Sequence, residues 1–495
     1  PAGLWVGLRL LTILRSWRYR LRADAREAAQ RRMCKTMVNL NDVRKVHFIG
    51  IAGAGMRAIA NVFIEKGYIV SGSDLKRSAI TDKFAEQGAR ICIGQKAENL
   101  QDAEVVVISS AIRETNAEVV EARRRHIPVI HRSDALVHIM TWGKGISVAG
   151  AHGKTTTSSM LGQVFEESHL EPTIVIGGEV DYLHSNSILG KGEYVIAEAD
   201  ESDGTFLKQS PYIAVVTNID ADHMDHYGSM DNVVEAFKEF IQKLDAEQGL
   251  AVLCFENEYI RRLAPSLQRR YLTYGIEAEA DYQARNLHYA KGKLYFDVLF
   301  HGETLGELML NVPGRHNVLN ALATTAVALR CGISFSQVAS ALSHFHGAKR
   351  RFQTKGFAGD VWVVDDYAHH PTEINATLTA ARDMGTHRVV CLFQPHRYTR
   401  TQLLLEDYGS AFAKADVLIV TDVYSAGEDP IPGVTGRLIA DKVREKTGQD
   451  VIYIPHTEDV VTYLKEHARP LDLIITMGAG DIYKVGEQYL AEAKG

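Results

Sequence analysis

Cysteine is scarce and scattered: Cys34, Cys92, Cys254, Cys331 and Cys391 are the only five, and no two form a CxxC pair. That spacing argues against a disulfide framework and a metal–thiolate cage, and fits reduced thiols in a cytosolic chain. No run of about 18 apolar residues occurs, so no membrane-spanning helix is expected. Basic excess is also missing. Lys+Arg total 55 against 61 Asp+Glu, a net charge of −6, which disfavours a general nucleic-acid binder. What is there is an ordinary globular composition, 46% hydrophobic and 23% charged, in a chain whose 495 residues suffice for about three domains.

Charge is unevenly spread. Residues 1–32 carry eight Arg against Asp24 and Glu27, a net of +6, leaving −12 on the rest. Leu4, Leu8, Leu11, Leu14 and Leu21 recur there at helical spacing, which suits a basic amphipathic membrane-surface helix. A targeting peptide is a second reading, although Arg9 interrupts its apolar stretch. The favoured reading is a translated upstream extension, disordered or non-native, with Met33 and Met37 just before the first strand. Residues 1–42 are therefore set apart from the functional argument, and deletion of residues 1–36 is expected to be tolerated.

The segment from Val46 to Ile49 reads as a buried strand. A turn with Gly50, Gly53 and Gly55 follows, then Met56 and the helical pattern of Ile59, Val62 and Phe63. A second strand from Tyr68 to Val70 ends in Ser71, Gly72, Ser73 and Asp74. Strand, glycine turn, helix and strand make a βαβ unit, whose helix N-terminus offers free N–H groups to a phosphate. The dinucleotide fingerprint GxGxxG is imperfect, because Ala52 stands where its second Gly belongs. A nucleotide diphosphate is expected, NAD being only one candidate, and a glycine turn without ligand remains the plain alternative. Further strands at Val105–Ile108 and ending at His131 bring Ser109 and His131 to the same sheet edge.

A second glycine loop carries stronger chemistry. The strand from Ile146 to Ala149 leads into Gly150, Ala151, His152, Gly153, Lys154, Thr155 and Thr156, then a helix with Met160, Leu161 and Val164. Backbone N–H groups of such a P-loop wrap phosphates, its lysine neutralises β/γ charge and its hydroxyl binds Mg²⁺. Val148 stands where the longer motif has Gly, so this is a GxxGKTT variant. Two later strands end in acids: Tyr194–Ala197 before Glu198, and Ile213–Thr217 before Asp222 and His223. Carboxylates and an imidazole at strand tips beside a P-loop suit Mg²⁺–ATP, whereas each alone reads as a solvated loop.

Downstream stand Pro313, Gly314, His316, Asn317 and Asn320. The stretch DDYAHHPTE begins at Asp365, QPHRYTR at Gln394, and further motifs lie around Arg351, Glu428 and Asp481. Together with both glycine loops, this ordered set resembles the Mur ligases over about residues 43–490. The resemblance implies an α/β protein of three domains: a Rossmann-like UDP-sugar domain at 43–141, a P-loop-type ATPase domain at 142–342, and a Rossmann-like amino-acid domain at 343–495. After residue 360, strands alternating with helical stretches support a parallel layout for the last of these independently.

By the same resemblance, Gly150 to Thr156, His316, Asn317, Asn320, Arg351 and Asp366 are expected at ATP. Thr155, Glu198 and His223 match the family's Mg²⁺ ligands. Gly53, Gly55, Met56, Ser73, Asp74, Ser109 and His131 are the UDP-sugar candidates, with Gly177 and Gly178 near the reacting acid. Tyr367, His369, His370, His396, Arg397 and Arg400 are the amino-acid candidates, and Lys154, Glu198, His223, Arg351, His369 and His370 the catalytic ones. The expected substrates are ATP, UDP-N-acetylmuramate and L-alanine; the expected state is a cytoplasmic monomer or homodimer. Some members carry a carbamylated lysine, but Lys238 reads as an exposed helix lysine. A sister ligase adding another amino acid or peptide stays open. A folylpolyglutamate-synthetase-like ligase would lack the first βαβ unit. An NAD-dependent dehydrogenase would leave the P-loop unexplained, and a non-catalytic ATP-binding regulator would need no acyl acceptor.

Overall fold

Three sheets organise the chain. The computed structural model describes residues 38–180, 185–290 and 292–493; the proposed extension to residue 37 lies outside them. The first sheet takes β1 (Lys45–Ile49), β2 (Ile69–Asp74), β3 (Arg90–Ile93), β4 (Val105–Ile108) and β5 (Val129–His131) in the order β3-β2-β1-β4-β5. All its pairings are parallel. Strand order reverses between β1 and β4, so a crevice opens outside their carboxyl ends. Helix α1 (Ala54–Glu65) buries Met56, Ile59, Val62 and Phe63 against β1, the apolar stripe expected of it.

The second sheet is ten-stranded among the described residues. Its centre is β6 (Lys144–Ala149), flanked by β9 (Tyr194–Glu198) and β10 (Ile213–Val216), both parallel to it. The strand carrying the P-loop therefore has the two acid-tipped strands as its immediate neighbours. On the far side of β10, an antiparallel flange of β13 (Tyr282–Ala290), β14 (Lys293–Phe300) and β15 (Glu303–Leu310) extends the sheet. Helices α3 (Lys154–Glu167) and α4 (Arg315–Arg330) pack together over one face, with Met160, Leu161, Val164, Val318 and Leu322 in the same apolar core.

The third sheet has the order β16-β17-β21-β18-β19-β20, with β19 at Val417–Val420 and β20 at Val451–Tyr453, and is parallel except for β16 (Gln353–Ala358) against β17 (Val361–Asp366). The tips of β17, β18 (Arg388–Phe393) and β21 (Asp472–Met477) deliver Asp366, Gln394 and Gly478 to one edge. Helix α5 (Pro371–Asp383) starts at that edge with His370 as its cap. Among the described residues, no helix is long and apolar enough to cross a membrane.

Two sequence expectations shift. The second strand, expected to stop at Val70, continues as β2 to Asp74. The ordered first unit also begins before residue 43. Leu40 is only 5% exposed, packs into the same core as Phe63 and Met140, and its carbonyl accepts the Tyr68 hydroxyl. A lone leucine in a polar segment gives no periodicity to read, which is why 38–42 were set aside with the extension. Leu40→Ala is expected to destabilise the first unit by about 2–3 kcal/mol, seen as lost hydrogen-exchange protection along β1 and β2. Unchanged protection would show that this anchor is dispensable.

Candidate active site

The P-loop geometry follows from its glycines. Gly150 has φ +134°, and a Cβ there would lie 2.1 Å from Thr217 Oγ1; no other residue fits. Gly153, with φ +87°, starts α3. Lys154 turns its ammonium back across the loop, where both Glu201 carboxylate oxygens accept from it at 2.9 Å. Burial works to lower the lysine's pKa, but Glu201 and Asp200 raise it overall, so Lys154 stays charged. Glu198, at the tip of β9, accepts the Gly177 N–H at 2.9 Å and a hydrogen bond from Thr155. Burial nevertheless pushes its pKa up, against the pull of Gly177, Lys154 and Thr155. His223 sits in a left-handed conformation with Nε2 3.5 Å from Asp222 and 4.0 Å from Glu201. Of the three residues expected to hold a cation, Thr155 and Glu198 are in contact, while His223 faces Asp222 and Glu201.

The first sheet meets this pocket through its own edge. Arg132 pairs with Asp200 at 2.7 Å, and Ser110 donates to Asp203 at 2.8 Å. His131 Nε2 lies 3.1 Å from Ser110, and its Nδ1 caps the following helix. Burial lowers the His131 pKa. The glycine loop is clasped by Asp74, which accepts the Ala52 N–H at 3.0 Å. A Cβ on Gly55 would stand 2.8 Å from the Arg132 guanidinium, so the arginine lies directly over the start of α1.

Two expected side chains are not in the crevice. The Ser73 hydroxyl is fully buried and donates to Glu118 at 2.7 Å, because period-2 alternation along β2 turns it inward; Glu118 also takes Asn99 and faces His47. The Met56 thioether is in the apolar core, 2% exposed, so only its backbone is available at the helix start. Ser109 is half-buried, and its neighbour Ser110 makes the cross-sheet contact instead.

From the other side, the third sheet closes onto the P-loop. His152 places Nδ1 3.3 Å from Glu373 and Nε2 3.2 Å from Asp220. Glu373 also reaches Arg351 at 3.3 Å and His369 at 3.4 Å. Thr372 donates to Asp220 at 2.9 Å, and Arg400 lies 3.8 Å from Asp222. His152, Asp220 and His370 bring ligating atoms within 4.8 Å of one another. His396 stacks on Tyr424 with ring centres 5.7 Å apart, and Tyr367 lies under the Arg350 guanidinium. Arg397 instead turns to Glu428 at 2.6 Å.

A cavity next to this junction is lined by His152, Gly153, His316, Asn317, Asn320, Arg351 and Asp366, all of them expected on the nucleotide side. Its amides are tied together: Thr157 donates to Asn320 Oδ1, and Asn320 Nδ2 to Asn317. Burial pushes His316 down to about 4, so it is neutral. It pushes Asp366 up to about 6 despite the pull of Arg351 and of the N–H groups of Phe352 and Ala368.

Sequence reasoning did not single out Arg132, Ser110, Asp200, Glu201, Asp220 or Glu373. Asp200 and Glu201 belong to the acidic run after Glu198, so their strand-tip position was a usable signal. Glu373 was visible as the last residue of DDYAHHPTE, whereas the pairing of Arg132 with Asp200 left no signal.

Three α/β units meeting edge to edge around a P-loop lysine define a nucleotide-dependent enzyme that works on substrates held between domains. Family models agree. One described as the Mur ligase family, catalytic domain, matches residues 45–142; the Mur ligase middle domain matches 148–328; and the Mur ligase, glutamate ligase domain, matches 350–480. The chain belongs to the Mur ligase family. The UDP-N-acetylmuramate–L-alanine ligase of Syntrophotalea carbinolica is 49% identical over 445 residues, covering 90% of this chain and 97% of that one. Its counterpart from Pelotomaculum thermopropionicum is 50% identical over 452 residues, covering 91% and 98%. The crystal structure of UDP-N-acetylmuramate–alanine ligase from Thermotoga maritima superposes with a TM-score of 0.78 at 29% identity, covering 91% of this chain and 99% of that one.

His152 gives the junction a pH signature. Burial alone would lower its pKa, but Glu373 and Asp220 overcome that and raise it from 6.5 to about 9. A raised folded-state pKa contributes stability that is complete below about 6.5 and lost as pH climbs through about 9. Urea midpoints are expected to fall over that window in the wild type, with a shallower slope in His152→Gln. Equal slopes would show that His152 is not charged in the folded protein.

Proposed function

We propose that this chain joins L-alanine to the carboxylate of UDP-N-acetylmuramate, with cleavage of ATP to ADP and phosphate, in peptidoglycan precursor synthesis. The observation that carries the reading is the convergence on Lys154. The acid-tipped strands flank its loop, the first sheet reaches it through Arg132 and Asp200, and the third through His152, Arg351 and Glu373. Near-full-length relatives named for this reaction support it. The chain divides on this reading into a sugar-nucleotide domain at 43–141, an ATP domain at 142–342 and an amino-acid domain at 343–495. The first of these takes in Leu40 as well. The reaction is cytoplasmic, where ATP is held.

A carboxylate does not condense with an amine in water because its oxygen is a poor leaving group. Transfer of the γ-phosphoryl group to that oxygen makes an acyl phosphate, whose phosphate leaves readily. The first step brings an anion to a polyanion, so cations have to converge on the transferred group. Lys154 and Arg351 are assigned to supply that charge. The Thr155 hydroxyl, the Glu198 carboxylate and the His223 imidazole make a donor set suited to Mg²⁺. Glu198 in particular is a half-buried carboxylate whose pKa desolvation raises, so it lacks a full counter-charge. A Mg²⁺ ion held there would screen the phosphate oxygens. His316, Asn317, Asn320 and Asp366 are assigned to the nucleoside end. Asp74, Arg132 and the start of α1 are assigned to the sugar diphosphate, and Tyr367, His369, His370, His396 and Arg400 to alanine. Closure of the three units keeps water from the acyl phosphate.

Lys154→Ala is expected to lower alanine-dependent ADP release by at least about 10²-fold with an unchanged circular dichroism spectrum; near-normal turnover would remove the P-loop from the mechanism. Asp74→Ala is expected to raise the KM for UDP-N-acetylmuramate several-fold more than the KM for ATP. Equal changes in both would detach Asp74 from the sugar nucleotide.

A further inference from the structure

Two adjacent histidines cap the third sheet's active edge, and their hydrogen bonds give them opposite chemistry. His369 Nδ1 lies 3.0 Å from the Tyr367 carbonyl oxygen and 3.4 Å from the Glu373 carboxylate. Both partners only accept, so Nδ1 carries the ring proton and Nε2 keeps a lone pair. His370 is the reverse. Its Nδ1 accepts the Thr372 N–H at 3.4 Å as the cap of α5, so its proton sits on Nε2, which is buried without a hydrogen-bond partner. His370 therefore presents a donor and His369 an acceptor.

We propose that His369 Nε2 takes the proton that alanine's ammonium sheds before attack, and that His370 serves as a donor to the acyl oxygen; this rests on the ligase reading above. The groups facing His369 suit the task. Glu373 and Asp222 favour its protonated form, Arg400 opposes it, and the Tyr367 and His396 rings pack 5.5 and 6.0 Å away. Burial dominates and holds the ring neutral, pushing it down to about 4. In the step itself, one ammonium proton passes to Nε2 and the freed lone pair forms the C–N bond at the acyl carbon. The C–O bond to phosphate then breaks, and the departing phosphate takes its electron pair and a second N–H proton.

Hydroxylamine separates a proton acceptor from a structural residue, because it is uncharged near neutral pH and has no ammonium proton to lose. In the full-length chain, His369→Gln is expected to cut amide formation with alanine about 10²–10⁴-fold. Exchange of ADP into ATP that depends on UDP-N-acetylmuramate, the mark of acyl phosphate formation, is expected to stay within roughly threefold of wild type, a change too small for loss of a general base. Hydroxamate formation from hydroxylamine should be spared to the same degree. His370→Gln is expected to depress alanine and hydroxylamine turnover alike. The proposal is overturned if His369→Gln keeps its alanine turnover, if it loses hydroxylamine turnover or exchange in step with alanine, or if His370→Gln shows the selective loss instead. Absence of alanine-dependent ADP release from the wild type would instead overturn the ligase reading itself.

Discussion

Cations supplied by three separate sheets have to share one gap, and the acids of two strand tips make that arrangement stable. Arg132 of the first unit is held by Asp200, Lys154 of the P-loop by Glu201, and Arg400 of the third unit by Asp222. His152 and Arg351 share Glu373 across the boundary between the second and third units. A buried cation without a partner costs several kcal/mol, so none of these side chains would sit where it does alone. The pairings of Arg132 with Asp200, Arg400 with Asp222 and His152 with Glu373 also cross between units. The electrostatics that neutralise the site therefore hold the three sheets in register with one another.

The same pairings suggest how a polyanion is accommodated. On the proposed reading, phosphate oxygens enter a region already lined with ammonium, guanidinium and imidazolium groups whose present partners are carboxylates. Exchanging a carboxylate for a phosphate oxygen leaves each cation neutralised, so the junction need not be rebuilt from unpaired charges. The Asp200 carboxylate released from Arg132 is then beside Glu198, where negative charge suits a divalent cation. Binding of the anion and of the metal would support each other through these acids rather than through a long conformational path.

Much of this was legible from residue types whose local demands are strict. Gly150 and Gly153 mark the P-loop because positive φ and a 2.1 Å Cβ clash with Thr217 leave no substitute. Strand tips could be read because apolar runs stop abruptly at acids, as β9 does at Glu198. What was not legible depends on contacts between distant segments. The antiparallel flange of β13 to β15 pairs by register that no local pattern states. Ser73 looked like a crevice residue, yet the alternation of β2 turns it to Glu118 in the interior. Arg132 and Glu373 each sit in stretches where a surface charge would look the same; their partners lie 68 positions away for Arg132, and in two other segments, at His152 and Arg351, for Glu373.

The amino-acid side of the junction poses the opposite problem from the nucleotide side. On the proposed reading alanine arrives with an ammonium as well as a carboxylate, while Arg397 and Arg400 already line that edge. Had His369, His370 and His396 been protonated too, the approach of a second cation would be strongly disfavoured. Burial acts on all three to lower their pKa, with His369 and His396 brought to about 4, so they remain neutral dipoles. Glu428 withdraws Arg397, and Asp222 offsets Arg400. The guanidinium charge that is left suits a carboxylate, and the neutral rings suit an ammonium that has to lose a proton. Desolvation, which penalises a charged histidine, is thus the condition under which these histidines can face an amine.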